Sequence, residues 1–326
     1  MLLDASIIPL LPKHLNPPPA GPSIPAFIVA DAGPKGRGLF ALRDIPAGAL
    51  ILAEQPLLVV PALAPPFAYD SLLPRLSPAA RATLLALSNC KPPDACGAVE
   101  GIVWTNASQV DLPTPPTMAP AAREYGGVFA TISRANHSCD LRTTLKWDPA
   151  SFTASLYAQR AILAGEEITH QYVDVLAPRA TRRAQLARYG FECMCAHCAL
   201  PLAASDAARE ELRTWHTRHS RFLHWATDLR APDDALLSAN TRALALIAQE
   251  GLHALQVPFL EEMALAYALL GDEARFREWA GHVVVLCAAQ DPERAAEFAA
   301  WMKSPRTVRL WGWRAKQRRR GSFHSC

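Results

Sequence analysis

Cys193, Cys195 and Cys198 form a Cys-x-Cys-x2-Cys run within one short stretch. Thiolates that close together can all turn toward one small cation, and zinc is the ion that tetrahedral sulfur ligation suits best. A tetrahedron needs a fourth ligand, and two are at hand: His197 inside the cluster and Cys139 from far away in the chain. Cys139 is the preferred fourth ligand. Adjacent His197 and Cys198 would be cramped on one ion, and Cys139 lies in a segment that carries other reactive side chains. The plainer alternative is three reduced structural cysteines without metal. Cys90 and Cys96 lack partners for a second site and read as core or surface thiols, while Cys287 sits on an apolar helical stretch and reads as core.

Three further segments could carry chemistry. Lys35-Gly36-Arg37-Gly38 puts two glycines at a turn with basic residues beside them, a pattern that is usually only a turn. Asn136-His137-Ser138-Cys139 follows the apolar Val128 to Ile132, so its polar side chains would be buried and need partners; a ligand is one source and a self-satisfied turn is another. Gly165-Glu166-Glu167-Ile168-Thr169-His170-Gln171-Tyr172 is a turn leading into a strand that ends on a tyrosine, which alone would read as a core or rim residue.

These segments must be positioned by short strands. From Ala26 to Pro61, apolar runs (Phe27 to Ala30, Gly38 to Leu42, Ala49 to Val60) are punctuated by Gly and Pro. Thr143 to Trp147 and Ser151 to Arg160 alternate on either side of Asp148-Pro149-Ala150, a hairpin signal, and Ile168 to Val173 predicts another strand. Such strands without regular intervening helices exclude a doubly wound sheet. Residues 71–88 carry leucines at helical spacing after the N-cap candidate Ser77 and Pro78, which predicts a helix or two. A proline-rich loop, Leu112 to Pro120, follows. Beyond Cys198, Ala and Leu rise and Pro and Gly fall; 205–229, 234–250, 257–270 and 272–289 each show helical periodicity. Met263 to Trp279, turning at Gly271-Asp272, has the look of a tetratricopeptide-type helix-turn-helix unit. The expected organisation is a proline-rich leader over 1–25, a β-rich domain over 26–200 with an insert at about 61–120, a helical region over 201–304 and a basic tail over 305–326.

Composition narrows the class. With 326 residues and 50% hydrophobic content the chain can build a substantial core. The net charge is only +3, and Arg314, Lys316, Arg318, Arg319 and Arg320 gather near the end, where they read as a localisation signal or a solvated terminus. A Cys-x-Cys-x2-Cys cluster carries no recognition helix, which argues against direct nucleic-acid binding. No apolar run reaches the roughly 18 residues of a membrane span. Met1 to Leu11 lacks a basic start and carries Asp4, unlike a signal peptide. Eight unevenly spaced cysteines suit a metal site in a reducing compartment, hence an intracellular protein of the nucleus, the cytoplasm or both.

Taken in order, Gly36-x-Gly38, Asn136-His137-Ser138-Cys139, Gly165-Glu166-Glu167-Ile168 with Tyr172, and Tyr189-Gly190-Phe191-x-Cys193-x-Cys195-x2-Cys198 resemble the SET-domain lysine methyltransferases. The resemblance covers residues 26–200, with 189–200 as the zinc-bearing post-SET segment. It is closest to the SET and MYND domain branch, where an insert splits the domain and a helical region follows. It implies an α+β fold: a SET β-fold of small sheets with a pseudo-knot, a helical insert and an all-α C-terminal region. It further implies methyl transfer from S-adenosylmethionine to the ε-amine of lysine in a histone or other protein. Lys35 and Arg37 would lie near the methionine carboxylate, Asn106 and Ser133 at the rim, Asn136 and His137 in the pocket and Phe191 against the adenine. Tyr172 matches the tyrosine at the methyl-transfer channel, and Tyr189 would line its lysine side. Zinc on Cys139, Cys193, Cys195 and Cys198 would order Phe191. The chain departs from the family at Asp140-Leu141-Arg142, where Pro-Asn usually follows, and Cys90 and Cys96 are too few for a MYND zinc module. A different class of function, a catalytically weak SET-fold scaffold whose helical region binds a protein partner, is opposed by the presence of Asn136, His137 and Tyr172.

Overall fold

The computed structural model describes residues 2–3, 8, 11–62, 64–114, 123–199, 203–218 and 222–322. Its strands are β1 (Leu2–Leu3), β2 (Phe27–Asp31), β3 (Arg37–Ala41), β4 (Leu50–Glu54), β5 (Leu58–Pro61), β6 (Ser108–Val110), β7 (Tyr125–Val128), β8 (Thr143–Asp148), β9 (Thr153–Ala158) and β10 (Glu167–Ile168). They make three small sheets, ordered β1-β5-β7-β6, β10-β3-β2 and β4-β9-β8. The β8–β9 hairpin forms as expected: Asp148 accepts the Ala150 and Ser151 amides at 3.0 and 3.1 Å and so closes the turn. Leu39, Ile51, Phe129, Ile132, Leu156 and Ile168, all at or near zero exposure, knit the three sheets into one core.

The expected strand Ile168 to Val173 is shorter than its pattern suggests. Only β10 belongs to a ladder, because the amides of His170 and Tyr172 bond instead to the Asn136–His137 segment. Within the proline-rich leader, β1 lies parallel to β5 and Asn16 N–H bonds to Ala150 O at 2.8 Å. The insert holds α1 (Pro66–Leu72), α2 (Pro78–Leu85) and α3 (Ala98–Asn106). Ser77 caps α2 by accepting the Ala80 amide at 3.2 Å. Much of the proline-rich loop Leu112 to Pro120 lies outside the described residues.

The helical part comprises α4 (Arg179–Ala187), α5 (Ala196–Ala199), α6 (Ala203–Arg213), α7 (Trp215–Arg218), α8 (Phe222–Thr227), α9 (Ala235–Gln249), α10 (Val257–Leu270), α11 (Glu273–Cys287), α12 (Pro292–Lys303) and α13 (Trp313–Ser322). Gly271 ends α10 in the left-handed region, at φ +77°, and Asp272 caps α11 on the Arg275 amide, which makes the expected tight turn. Leu260, Ala264 and Ala268 pack there against Phe276, Ala280 and Val283.

The basic tail is a correction. Its residues 313–322 are helical, and Arg314 is fully buried rather than solvated. Its guanidinium pairs with Asp233 at 2.7 Å and lies 4.4 Å from the Trp225 ring centroid.

Several bonds fasten the helical part to the β-rich part. A Cβ on Gly48, at φ +80°, would fall 2.1 Å from the Val285 carbonyl oxygen, so that turn meets α11 backbone to backbone. Leu141 N–H bonds to Gly251 O at 2.8 Å, and the Gln256 amide donates to Gln159 O at 2.9 Å. Most consequential is Arg209 of α6, which is fully buried. It pairs with Glu250 at 3.0 Å and donates to the carbonyls of Cys139 at 3.2 Å and Val175 at 2.5 Å.

Candidate active site and metal centre

The segments singled out in the sequence converge where one strand passes another. His170 N–H bonds to Asn136 O at 3.0 Å, Ser138 N–H bonds to His170 O at 3.2 Å, and His137 and His170 form a parallel bridge. Asn136 Nδ2 donates to Glu167 Oε1 at 2.8 Å, and Lys35 forms an ion pair with the other Glu167 oxygen. Gly38 sits against this knot. A Cβ there would lie 2.8 Å from Glu167 Oε1 and 2.9 Å from Asn136 Nδ2 and would push that side-chain pair aside, whereas Gly36 meets no such neighbour and is needed for its φ of +76°.

Tyr172 is held at three points. Its hydroxyl donates to Ala135 O at 2.8 Å, its amide donates to His137 Nδ1 at 3.0 Å, and its ring centroid lies 5.0 Å from that of Tyr189. Because His137 Nδ1 accepts, the neutral ring carries its proton on Nε2, which stands 3.3 Å from Cys139 Sγ. Burial lowers the His137 pKa to about 4, and it does the same at His170, so both rings are neutral near neutral pH. Burial pushes the Tyr172 hydroxyl well above the ordinary phenol value, so it stays protonated.

Two cavities flank this tyrosine pair. One of about 680 Å³ is lined by Lys35, Asn136, His137, Glu167, Tyr189 and Phe191. The other, about 500 Å³, is lined by Asn106, Ser133, His170, Gln171, Tyr172 and Tyr189. A gap of about 100 Å³ between them is walled by Asn106, Ser133, Asn136, Tyr172, Tyr189 and Phe191. Tyr189 faces all three spaces. The arrangement suits a transfer between two molecules held in separate cavities that share an aromatic neck. Asp140 Oδ1 and Thr169 Oγ1, on residues lining the larger cavity, are buried without a hydrogen-bond partner, which fits a polar ligand there.

The candidate residues differ in what they have left to offer. Arg37 lines the neck, but its guanidinium donates to Val29 O at 3.0 Å. Asn106 is buried and spends its amide on Ser88 O at 2.6 Å and Ile102 O at 2.7 Å. Ser133 Oγ accepts the Phe129 amide at 3.0 Å and donates to Asn106 O at 2.9 Å. Asn106 and Ser133 therefore brace the wall. Phe191 packs near His137, their ring centroids 6.2 Å apart.

Behind that wall, the sulfurs of Cys139, Cys193, Cys195 and Cys198 all lie within 4.8 Å of one another, with Cys139 at 4.0 Å from Cys193 and 3.5 Å from Cys198. Zinc–sulfur bonds of about 2.3 Å in a tetrahedron place sulfurs about 3.8 Å apart, so this set can hold zinc with every position filled by protein. His197 is turned away, its Nδ1 at 3.4 Å from Glu250, which leaves Cys139 as the fourth ligand. Hydrogen bonds among the four thiols hold Cys195 below the ordinary thiol value and Cys139 above it. The fully buried Arg182 has its guanidinium 3.8 Å from Cys198 Sγ, where it would balance the negative charge that four thiolates keep with one zinc ion among them.

Sequence reasoning missed Arg182 and Arg209, yet a signal was present. Arg209 shares a helical stripe with buried Ser205, Ala208 and Leu212, and Arg182 shares one with Leu186, so each guanidinium points inward. Cys90, read as a core or surface thiol, lines both the larger cavity and the neck. His170 and Gln171, noted only as preceding the tyrosine, line the smaller cavity.

Comparison with known proteins agrees with this geometry. Residues 36–173 match the family model described as "SET domain". The Schizosaccharomyces pombe "Histone-lysine N-methyltransferase set5" is 30% identical over 183 residues, 55% of this chain and 53% of that protein. The Homo sapiens "Histone-lysine N-methyltransferase SMYD3" is 30% identical over 127 residues, 36% of this chain and 29% of that protein. The chain thus spans about half the length of the first relative and less of the second. Among solved structures, "Crystal structure of the SET domain of LSMT bound to Lysine and AdoHcy" aligns over 86% of this chain and 88% of that one at 11% identity; its TM-score of 0.36 is too low to bear on the fold. Residues 36–173 thus match the SET-domain family model, over part of its length the chain is similar to set5 and SMYD3, and its strands, crossing segments and cysteine cluster fall in the order that this likeness leads one to expect.

Proposed function

We propose that this protein transfers a methyl group from S-adenosylmethionine to the ε-amine of a lysine in a histone or other protein. One observation carries the reading: two cavities of about 680 and 500 Å³ both reach Tyr189, and each shares lining residues with a gap of about 100 Å³ walled by Tyr172 and Tyr189. The larger would take the cofactor, against Asn136, His137 and Phe191, with Lys35 available to a carboxylate once it exchanges its bond to Glu167. The smaller would take the lysine.

S-adenosylmethionine supplies a sulfonium-bound methyl group, open to in-line displacement by an amine. The transition state disperses positive charge, so the residues need to align and solvate more than to abstract a proton. Tyr172 has committed its proton to Ala135 O and so presents an oxygen lone pair that an amine N–H can meet. Tyr189 continues the aromatic wall on the lysine side and keeps water from the neck. A free lysine has a pKa of about 10.4, and withdrawal from water between these rings favours its neutral form. The zinc cluster serves structure: Cys139 follows Asn136–His137, and Cys193 follows Phe191, so closing it ties two walls of the larger cavity together. Reduced thiols of this kind suit the nucleus or cytoplasm.

The test is calorimetric titration with S-adenosylmethionine, then incubation of histones and of whole-cell lysate with tritiated cofactor. Saturable binding with label on lysine is expected. Binding without any transfer would mark the chain as a scaffold, and no binding would overturn the reading.

A further inference from the structure

The turn that leads into the neck is held from two sides. Residues 131–135 close on themselves, with Arg134 N–H bonded to Thr131 O and Ala135 N–H to Ile132 O, both at 2.9 Å. Ile132 and Ala135 are fully buried, and Ala135 O accepts the Tyr172 hydroxyl. Toward the insert, Ser133 Oγ anchors the turn to Asn106 O at 2.9 Å. Toward the sheets the anchor is Glu54, the last residue of β4. Its Oε1 accepts the amides of Thr131 at 2.9 Å and Ile132 at 2.5 Å, and its Oε2 accepts that of Thr131 at 3.2 Å. Burial raises the pKa of this carboxyl, against the pull of the two amides. Its own place is fixed, because its backbone pairs with Ala154 in β9 and the side chain of Gln55 donates to Ser151 O at 3.2 Å.

We propose that Glu54 is a positioning residue for methyl transfer: it ties the Ala135 carbonyl to the β4-β9-β8 sheet and so sets where the Tyr172 hydroxyl presents its lone pair. This rests on the reading of Tyr172 as acting at the neck. The path is short. It runs from the carboxylate to the Ile132 amide, from the Ile132 carbonyl to the Ala135 amide, and from the Ala135 carbonyl to the phenol. A hydroxyl oxygen accepts away from the bond it donates, so turning the Ala135 carbonyl re-aims that oxygen while the ring stays against Tyr189, His137 and His170. A misplacement of about 1 Å is enough to slow an aligned transfer about a hundredfold. A carboxylate that merely capped the turn would stabilise the fold without any such link to Tyr172.

The test compares variants of the full chain. Glu54→Gln keeps one acceptor oxygen and Glu54→Ala keeps none, so kcat should fall about threefold in the first and about tenfold or more in the second, with the Kd for S-adenosylmethionine nearly unchanged. The double variant separates positioning from packing. In Tyr172→Phe the Ala135 carbonyl has no hydroxyl to aim, so adding Glu54→Ala should slow transfer by less than about twofold more. Losses that multiply, or a loss confined to cofactor affinity, overturn the proposal. A second readout needs no transfer. With the six tyrosines isotope-labelled at Cζ, the carbon resonance lost in Tyr172→Phe identifies Tyr172, and its shift reports the hydrogen bond of the phenol. It should move in Glu54→Ala and move less in Glu54→Gln, which also serves if the alanine variant fails to fold. A Tyr172 resonance that stays in place overturns the proposal and leaves the methyltransferase reading intact. A resonance that moves in a protein without transfer supports the link from Glu54 to Tyr172 and counts against that reading.

Discussion

Replacing Tyr172 by Phe removes one hydroxyl and keeps a ring that lies 5.0 Å from Tyr189, 5.4 Å from His137 and 5.2 Å from His170. Two effects should separate. The Ala135 carbonyl, on a fully buried residue, loses its 2.8 Å donor, which should cost about 1–2 kcal/mol of stability. At the neck, an oxygen that meets the amine only as charge develops disappears. If that interaction is worth about 1.5–4 kcal/mol in the transition state, the rate falls about tenfold to a thousandfold. Cofactor affinity should hardly change, because the larger cavity keeps its walls. The assay is initial-rate tritium transfer beside calorimetric cofactor binding and urea unfolding. A pH–rate series adds a sharper test. Burial raises the Tyr172 pKa, so the hydroxyl is protonated throughout the neutral and mildly alkaline range, and any rise in rate there belongs to the substrate lysine. The same rise should therefore persist in Tyr172→Phe. If it vanished in the variant, Tyr172 would be acting as a phenolate base and this account of the neck would be wrong. If binding and stability collapsed together with the rate, Tyr172 would be a packing residue.

Freshly reduced protein should hold about one zinc per chain by elemental analysis, and Cys139→Ser should release it to a chelator much faster than the unchanged protein does; zinc-free protein of full stability would defeat the assignment. Arg209→Met takes the cation from the buried Glu250 carboxylate, which keeps the Ser205 and Gln249 donors, and leaves the carbonyls of Cys139, Val175 and Glu250 without that guanidinium, so urea unfolding should show a loss of about 3–5 kcal/mol, partly recovered by adding Glu250→Gln. An unchanged midpoint would mean that the pair is not buried in solution. His170 is neutral in the fold, with its pKa lowered from 6.5 to about 4, so the unfolded chain binds more protons between those values. Stability should accordingly be unaffected by His170 above pH 6.5 and fall as pH drops toward 4, by up to about 3 kcal/mol; a denaturation series in which His170→Asn has the same acid slope would exclude this role.

What the sequence made legible was local or ordered. Strand and turn punctuation located β2 to β5 and the β8–β9 hairpin, Ser77-Pro78 marked the start of α2, and Gly271-Asp272 marked the turn between α10 and α11. The order of four motifs carried the SET resemblance, and the cysteine set followed once Cys139 was preferred to His197. What stayed hidden depended on contacts between distant residues. No local pattern says that the amide of Tyr172 will turn to His137 Nδ1 instead of a ladder partner, which is why the expected strand stops at Ile168. Nor does a cluster of basic residues reveal that Arg314 will be buried against Trp225 and Asp233, because burial of a charge is decided by carbonyls and carboxylates supplied from elsewhere.

Those distant contacts also explain why the helical part matters to a site built largely from strands. Arg209 reaches from α6 to the carbonyl of Cys139, a member of the four-cysteine cluster, and to that of Val175, three residues beyond Tyr172. Cys139 Sγ in turn faces His137 Nε2, and His137 Nδ1 receives the Tyr172 amide. A single line of bonds thus runs from a buried ion pair in the helices, through one thiol of the cysteine cluster, to the tyrosine at the neck. Each link is short, largely buried and fixed in direction by its donor and acceptor, so a displacement at α6 is passed on rather than absorbed. The helices are therefore part of what sets the geometry of the neck, and a fragment ending at Cys198 would lose Arg209, Glu250 and the Gly251 carbonyl that receives the Leu141 amide.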